Sequence, residues 1–281
     1  MLSAAIVIAT VGAALFASLL SPQDPFDPRQ LDLMNSHIPP IWDADGQRPF
    51  WLGTDEQGRD LLSAVLHGLR ISLWVGVLGT AFSAALGLGL GLVAGYLGGG
   101  VDALIMRIAD VQLTFPAILI ALIVDGVVKS VLGGQLSTGT VLTVLVVSIG
   151  LSFWVQYART VRGSVLVEKG KDYVQAARLI GLSGPVIMWR HILPNVLGPV
   201  YAIATINFAL AIITEATLSF LGSGMPETQP SLGTLIRIGN KYLFSGEYWI
   251  VVFPGIALAA LVLSINLLGD WLRDALNPRL R

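Results

Sequence analysis

From Ile71 to Val101 the chain runs 31 residues without a charged side chain. About 20 such residues cross the ~30 Å hydrocarbon core of a bilayer as a helix. In lipid every backbone N–H and C=O must be satisfied within the segment, which leaves little but a helix for such a run. Five more apolar runs accompany it: Leu2–Leu20, about Ile108–Val124 with a kink expected near Pro116, about Thr138–Tyr157, about Leu197–Leu218, and Tyr248–Leu268. Only 12% of residues are charged, against about 25% in a soluble domain. The expected fold is therefore an all-α integral membrane protein with about six transmembrane helices. No basic residue precedes Leu2, which argues against a secretory leader there and fits a cytoplasmic tail lying upstream of this Met.

The polar segments are uneven. Residues 21–70 carry eight acidic and four basic groups and many prolines, too little apolar material for a separate folded unit. The chain thus divides into 1–70, a first span with an external polar segment, and 71–281, a five-helix transmembrane domain. Within the first part, Gly53, Thr54, Asp55, Gly58, Arg59 and Asp60 read as a turn and helix start, with Thr54 or Asp55 as N-cap. Beyond that turn, the stretch could touch an external partner or only fold back over the spans. Asp125–Ser137 reads as a short turn, Arg159–His191 as a polar island, and Gly222–Glu247 as a polar loop with an amphipathic piece, Leu232–Phe244.

Six spans place both termini on one side. Ten of the 17 Lys and Arg residues fall on that side: Arg107, Arg159, Arg162, Lys169, Lys171, Arg178, Arg190, Arg273, Arg279 and Arg281. Cytoplasmic loops are the ones enriched in Lys and Arg, so the island and both termini are expected in the cytoplasm.

Two local patterns stand out. Ser83, Gly87, Gly91 and Gly95 recur every four residues and form a small-residue stripe that admits close helix packing. In the island, Asp172 and Gln175 have capping-box spacing, and Gly181 can close the helix they start in the left-handed conformation. Ser183-Gly184-Pro185 opens a second short helix, whose length Pro194 should limit.

Chemistry of the chain's own is hard to place. Lys129-Ser130 follows Val128, not the Gly that a phosphate-binding loop requires. His37, His67 and His191 are scattered, there is no cysteine, and no metal-ligand spacing appears. A net charge of −1 does not suggest a nucleic-acid partner. Glu215, inside a span, is a functional candidate by position, with capping or interhelical pairing as the structural alternative.

The island nonetheless resembles a known element. Tyr173, Val174, Ala176, Ala177 and Arg178, then Gly181 and Ile192-Leu193-Pro194-Asn195, resemble the EAA loop of bacterial ABC-importer permeases. Further matches are Leu52-Gly53-Thr54-Asp55 with Gly58-Arg59-Asp60, Ala94–Gly99 with Asp102, Glu215-Ala216 with Leu218–Gly222, and Asn266-Leu267 with Gly269-Asp270 and Leu272-Arg273-Asp274. Together they resemble the dipeptide/oligopeptide/nickel branch, C-subunit-like, over almost the whole chain. Gln175 stands where the motif expects Glu.

The resemblance implies a permease subunit of the bacterial inner membrane that is not itself catalytic. It implies a second homologous permease, two ABC ATPase subunits that bind the ATP and Mg, and an extracytoplasmic substrate-binding protein. It further implies that Asp172, Tyr173, Val174, Gln175, Ala176, Ala177, Arg178, Gly181, Leu193 and Pro194 form the ATPase-coupling element. Peptides, nickel or another small solute are the cargoes the branch allows. A stand-alone secondary transporter would need inverted repeats with broken helices at mid-membrane, and a membrane-embedded enzyme would need a polar cluster within the spans. Neither pattern is evident.

Overall fold

The computed structural model describes residues 2–133 and 136–275, with side chains for 5–133 and 136–271. Arg279 and Arg281, counted above among the cytoplasmic charges, lie outside the described residues, as do the side chains of Arg273 and Asp274. The described residues are helical apart from turns and one isolated bridge, Thr54 to Asp60.

The helices, in order, are α1 (Leu2–Leu15), α2 (Ala17–Leu20), α3 (Leu61–Leu97), α4 (Gly99–Leu113), α5 (Ala117–Leu132), α6 (Thr138–Glu168), α7 (Asp172–Leu179), α8 (Gly184–Val186), α9 (Leu193–Phe220), α10 (Leu232–Asn240) and α11 (Trp249–Ala275). Among the described residues four helices are long and apolar enough to cross a membrane: α3, α6, the 37-residue run Gly184–Phe220, and α11. Only 33% of the apolar window of α3 is buried inside the chain, so most of its surface needs an apolar surrounding.

Several expected boundaries move. α1 and α2 are broken at Phe16, and the 14 residues of α1 reach only ~21 Å at 1.5 Å per residue. The run around Ile108–Val124 is not one span. It is two helices, α4 and α5, bent by 99° at Thr114–Pro116, and they make a fifth crossing only if counted together. Pro116 removes a donor and disfavours helix at Phe115 before it, which explains the corner. Asp125 lies inside α5, buried and paired with Lys129 at 2.9 Å, rather than in a turn. Charges at Arg159 and Arg162 do not end α6, which runs on to Glu168. The division at residue 70 falls within α3, which begins at Leu61.

Pro194 does not stop a helix either. A π-helical turn, Ile187–Ile192, joins α8 to α9 and carries the chain past it. A widened turn relieves the clash and missing bond that a proline brings to a regular helix.

α3 and α6 form the central pair. Gly87, Gly91 and Gly95 lie directly against α6: an added Cβ would stand 2.4 Å from the Trp154 carbonyl, 2.6 Å from that of Ala158 and 2.7 Å from Val165 Cβ. Ser83, on the same stripe, is buried and bonds the Thr80 carbonyl at 2.9 Å. One apolar cluster joins the start of α3 to α1, α9, α10 and α11. Another gathers the far end of α3 with α6, α7 and the start of α9.

Candidate functional site

The two ends of α3 carry the two polar constellations. At its C-terminal end sits α7. Asp172 is the first residue of this helix, not its cap, so the expected capping box does not form. Lys171 takes the N-cap position with extended backbone, and its carbonyl receives the N–H groups of Val174 and Gln175. The Gln175 amide instead donates to the Lys169 carbonyl at 3.3 Å. Glu168 holds the entrance. Its carboxylate accepts from Lys171 Nζ at 2.6 Å and from the Tyr173 hydroxyl at 2.7 Å. Asn195 Nδ2 donates to the Tyr173 oxygen at 3.3 Å, so one carboxylate links α6, α7 and α9. Burial, with the Glu168 contact adding to it, pushes the Tyr173 hydroxyl up to about 12.

Gly181 closes the helix at φ +83°. Its N–H reaches the Arg178 carbonyl at 3.0 Å, and Leu182 N–H reaches that of Ala177 at 3.1 Å. That paired pattern is a Schellman ending, which needs the left-handed residue.

α7 has two faces. Val174 and Ala177 are buried against the cluster shared with Leu92, Val161 and Ile187. They form the inward face of the helix and pack in the chain's own core. Asp172, Gln175, Ala176 and Arg178 are exposed, and beyond them Leu179 is 88% and Ile180 75% exposed. Arg178 is not a free charge, because its guanidinium lies 5.4 Å over the Tyr96 ring. Leu193 is half-buried against the same cluster, and Pro194 is exposed. Ile180, Glu168 and Tyr96 were not singled out from sequence. An apolar Leu-Ile pair just before the helix-closing glycine of a polar island was the available signal for the first.

At the opposite end, the stretch around Gly53–Asp60 folds inward. Thr54, Asp55, Arg59 and Asp60 are buried, so their side chains have no surface to offer a partner in this structure. Arg59 Nε donates to Asp55 Oδ2 at 2.7 Å and Nη1 to the Glu227 carbonyl at 2.6 Å. Trp249 Nε1 donates to the Thr54 carbonyl at 3.1 Å. Asp60, not Thr54 or Asp55, caps α3, accepting from Ser63 N at 2.8 Å. Gly53 and Gly58 both have positive φ, and a Cβ at Gly58 would fall 2.0 Å from the Asp32 carbonyl. Around this knot, Glu56 receives the Tyr242 hydroxyl at 2.7 Å, which pushes that phenol up to about 12, and His37 contacts Glu247.

Glu215 belongs to the same end. It is fully buried and accepts from Ser72 and Ser219, both at 2.7 Å, while Ser231 donates to Ser219 at 3.1 Å. This joins α3, α9 and the start of α10. Among the described residues no three His, Cys, Asp or Glu side chains gather to hold a metal.

Long apolar helices uncovered by the chain itself, with an exposed apolar-tipped helix at one end, define a multi-pass membrane protein built to act with other subunits. Residues 87–281 match the family described as binding-protein-dependent transport system inner membrane component, and the chain belongs to that family. It is 39% identical over 271 residues to a di/tripeptide transport system permease protein of Pseudomonas aeruginosa, covering 96% of this chain and 85% of that protein. It is 38% identical to a dipeptide transport system permease protein of Haemophilus influenzae, over 94% and 86% of the two chains. A glutathione transport system permease protein of Pectobacterium atrosepticum is 34% identical, over 98% and 85%. In fold it is similar to the inward-facing MetNI methionine ABC transporter, with TM-score 0.59 at 19% identity over 76% of this chain and 96% of that one. The chain is thus a non-catalytic permease subunit of an ABC importer in the bacterial plasma membrane, working with a separate ATPase.

Proposed function

We propose that this chain forms half of the path through which an ATP-driven importer moves di- and oligopeptides, beside a second homologous permease. The names of the relatives support the cargo. In this reading the chain crosses the membrane six times, with α1–α2 as the first crossing and the bent α4–α5 pair as the third. Both termini and residues 159–195 face the cytoplasm, and the 21–60 segment faces the binding protein. ATP and Mg are held by two ATPase subunits, none by this chain.

The observation that carries the reading is the exposed α7 tip. Leu179 and Ile180, 88% and 75% exposed, stand on a helix that its other face anchors in the core. Apolar side chains held out on a rigid, capped element suit a groove on a partner. Ala176, small and exposed, lets that partner approach. ATP-driven closure of the ATPases then biases two arrangements of the permease pair, a population shift set by nucleotide state.

Leu179→Glu puts a charge into that groove. Burying an unpaired carboxylate costs several kcal/mol. Transport by the reconstituted complex is expected to fall by about 100-fold or more, with the ATPase subunits lost on purification. Phe244→Glu, at the opposite end and 97% exposed, is expected to leave both unchanged. Undiminished transport by Leu179→Glu would contradict docking through this tip.

A further inference from the structure

We propose that the Tyr96 ring is a joint that passes movement of α7 to α3. The inference rests on the reading that α7 receives motion from an ATPase. Through the chain itself α7 is connected to α6, by the turn from Glu168 to Lys171, and to α9, by Gly181–Ser183, α8 and the π-helical turn. α3 has no such connection. Its last turn packs on α6 through Gly95, and it reaches α7 and α8 through one side chain, Tyr96.

Arg178 of α7 lies over the Tyr96 ring at 5.4 Å, and Lys169 Nζ lies 5.8 Å from the same centroid. Lys169 Nζ also donates to the Tyr96 carbonyl at 2.6 Å, placing a cation on the C-terminal end of α3, where the helix dipole favours it. On a third side is Gly184, the first residue of α8. A Cβ there would stand 3.1 Å from Tyr96 Cε1, so the ring seats against bare backbone. The ring is half-buried and packs in the cluster that holds Val174, Ala177 and Leu182.

The chemistry suits a moving contact. A guanidinium is attracted to the whole face of a ring, whereas an ion pair depends on close approach of particular atoms. Arg178 can therefore shift across the ring as α7 turns and keep its hold. The Tyr96 hydroxyl makes no hydrogen bond among the described residues, so the ring, rather than the phenol, makes the joint. From Tyr96, α3 runs as one unbroken 37-residue helix to Asp60, which is fixed in the knot formed with Gln23 and Ser63. A displacement at the α7 end is thereby delivered about 55 Å away, at 1.5 Å per residue, to the segment at the other end.

The test uses the whole complex of permeases and ATPases in liposomes, with its binding protein and a labelled dipeptide. ATP hydrolysis is measured with and without the loaded binding protein, and uptake is measured in parallel. Tyr96→Leu is expected to keep the complex assembled and to lose about five- to tenfold of the binding-protein-stimulated hydrolysis and uptake. Tyr96→Phe is expected to stay within about twofold of the parent, because it keeps the ring face. Arg178→Gln should match Tyr96→Leu, Arg178→Lys should retain coupling, and the Tyr96→Leu/Arg178→Gln double variant should be no worse than either single, as for two halves of one contact. Full stimulation in Tyr96→Leu overturns the joint, and so does a loss in Tyr96→Phe equal to that in Tyr96→Leu. If Tyr96→Leu does not assemble, the two Arg178 variants decide: equal behaviour of Gln and Lys overturns the joint. Leu179→Glu separates the two levels. If it abolishes coupling while Tyr96→Leu does not, only the joint fails; if Leu179→Glu has no effect, docking of α7 itself fails.

Discussion

Gly87→Val is expected to destabilise the folded chain by at least about 3 kcal/mol, the upper range for forcing volume into a packed interior. The position has no room. A Cβ would lie 2.4 Å from the Trp154 carbonyl oxygen, 2.5 Å from Tyr157 Cβ and 3.0 Å from Ala158 N. Two of those three neighbours are backbone atoms of α6, which cannot rotate away as a side chain can. The central pair must separate, and every contact along it loosens, because dispersion falls steeply with a small gap. Gly89, two residues along the same helix, supplies the control. A Cβ there meets nothing within 4 Å. Gly89→Ala is therefore expected to be neutral or to stabilise by up to about 1 kcal/mol, since alanine is the better helix former. Thermal unfolding of detergent-purified protein, followed by size-exclusion chromatography, measures both. Equal midpoints for the two variants would show that the α3–α6 contact is not as close as described.

Arg59→Met is expected to cost about 3–5 kcal/mol, the range for breaking a buried ion pair by removing one partner. Arg59 is fully buried, Asp55 is likewise, and the loss would leave the carboxylate uncompensated. It would also remove the Nη1 bond to the Glu227 carbonyl, which fastens the segment before α3 to the loop before α10. Much of the penalty comes from the orphaned charge, so Asp55→Leu/Arg59→Met is expected to be less damaging than Arg59→Met alone. The thermal midpoint of the three proteins checks this order. A double variant worse than the single would place the stabilisation in the bonds that Asp55 accepts from the backbone N–H groups of Gln57 and Arg59, not in the pair.

The long spans were legible because lipid leaves so few options. The uncharged run from Ile71 to Val101 corresponds to most of α3, and the runs near Thr138, Leu197 and Tyr248 lie within α6, α9 and α11. The stripe Ser83, Gly87, Gly91, Gly95 was readable as a packing surface, though not which helix it meets. What sequence reading missed has local causes. Arg159 and Arg162 look like a loop, yet each finds an acidic partner on α4: Arg159 pairs with Asp110, and Arg162 is held by Asp102 at 2.5 and 2.7 Å. Charges paired in this way let α6 continue. Asp172 and Gln175 have the spacing of a capping box, but the helix starts one residue earlier than the box requires, because Glu168 draws Lys171 and Tyr173 toward it. The island's inward and outward faces depend on what α7 packs against. Val174 and Ala177, three residues apart, look the same in sequence whether they face a core or a partner. Around Gly53–Asp60, the fold-back over the spans and an external contact could not be separated from composition. Burial of an Asp and an Arg four residues apart, hydrogen-bonded to each other, separates them for those side chains.

The chain has no native cysteine, so a single Leu179→Cys substitution gives an unambiguous chemical handle on this chain at an exposed residue of α7. The full complex, carrying this variant and treated with a short thiol-reactive cross-linker in inside-out vesicles, offers the most direct measurement of the coupling role. The expected result is a product joining the permease to an ATPase subunit, with a yield that changes when ATP is added. Labelling of the same position by a membrane-impermeant thiol reagent from the outer face of intact cells, with no ATPase product, would contradict it.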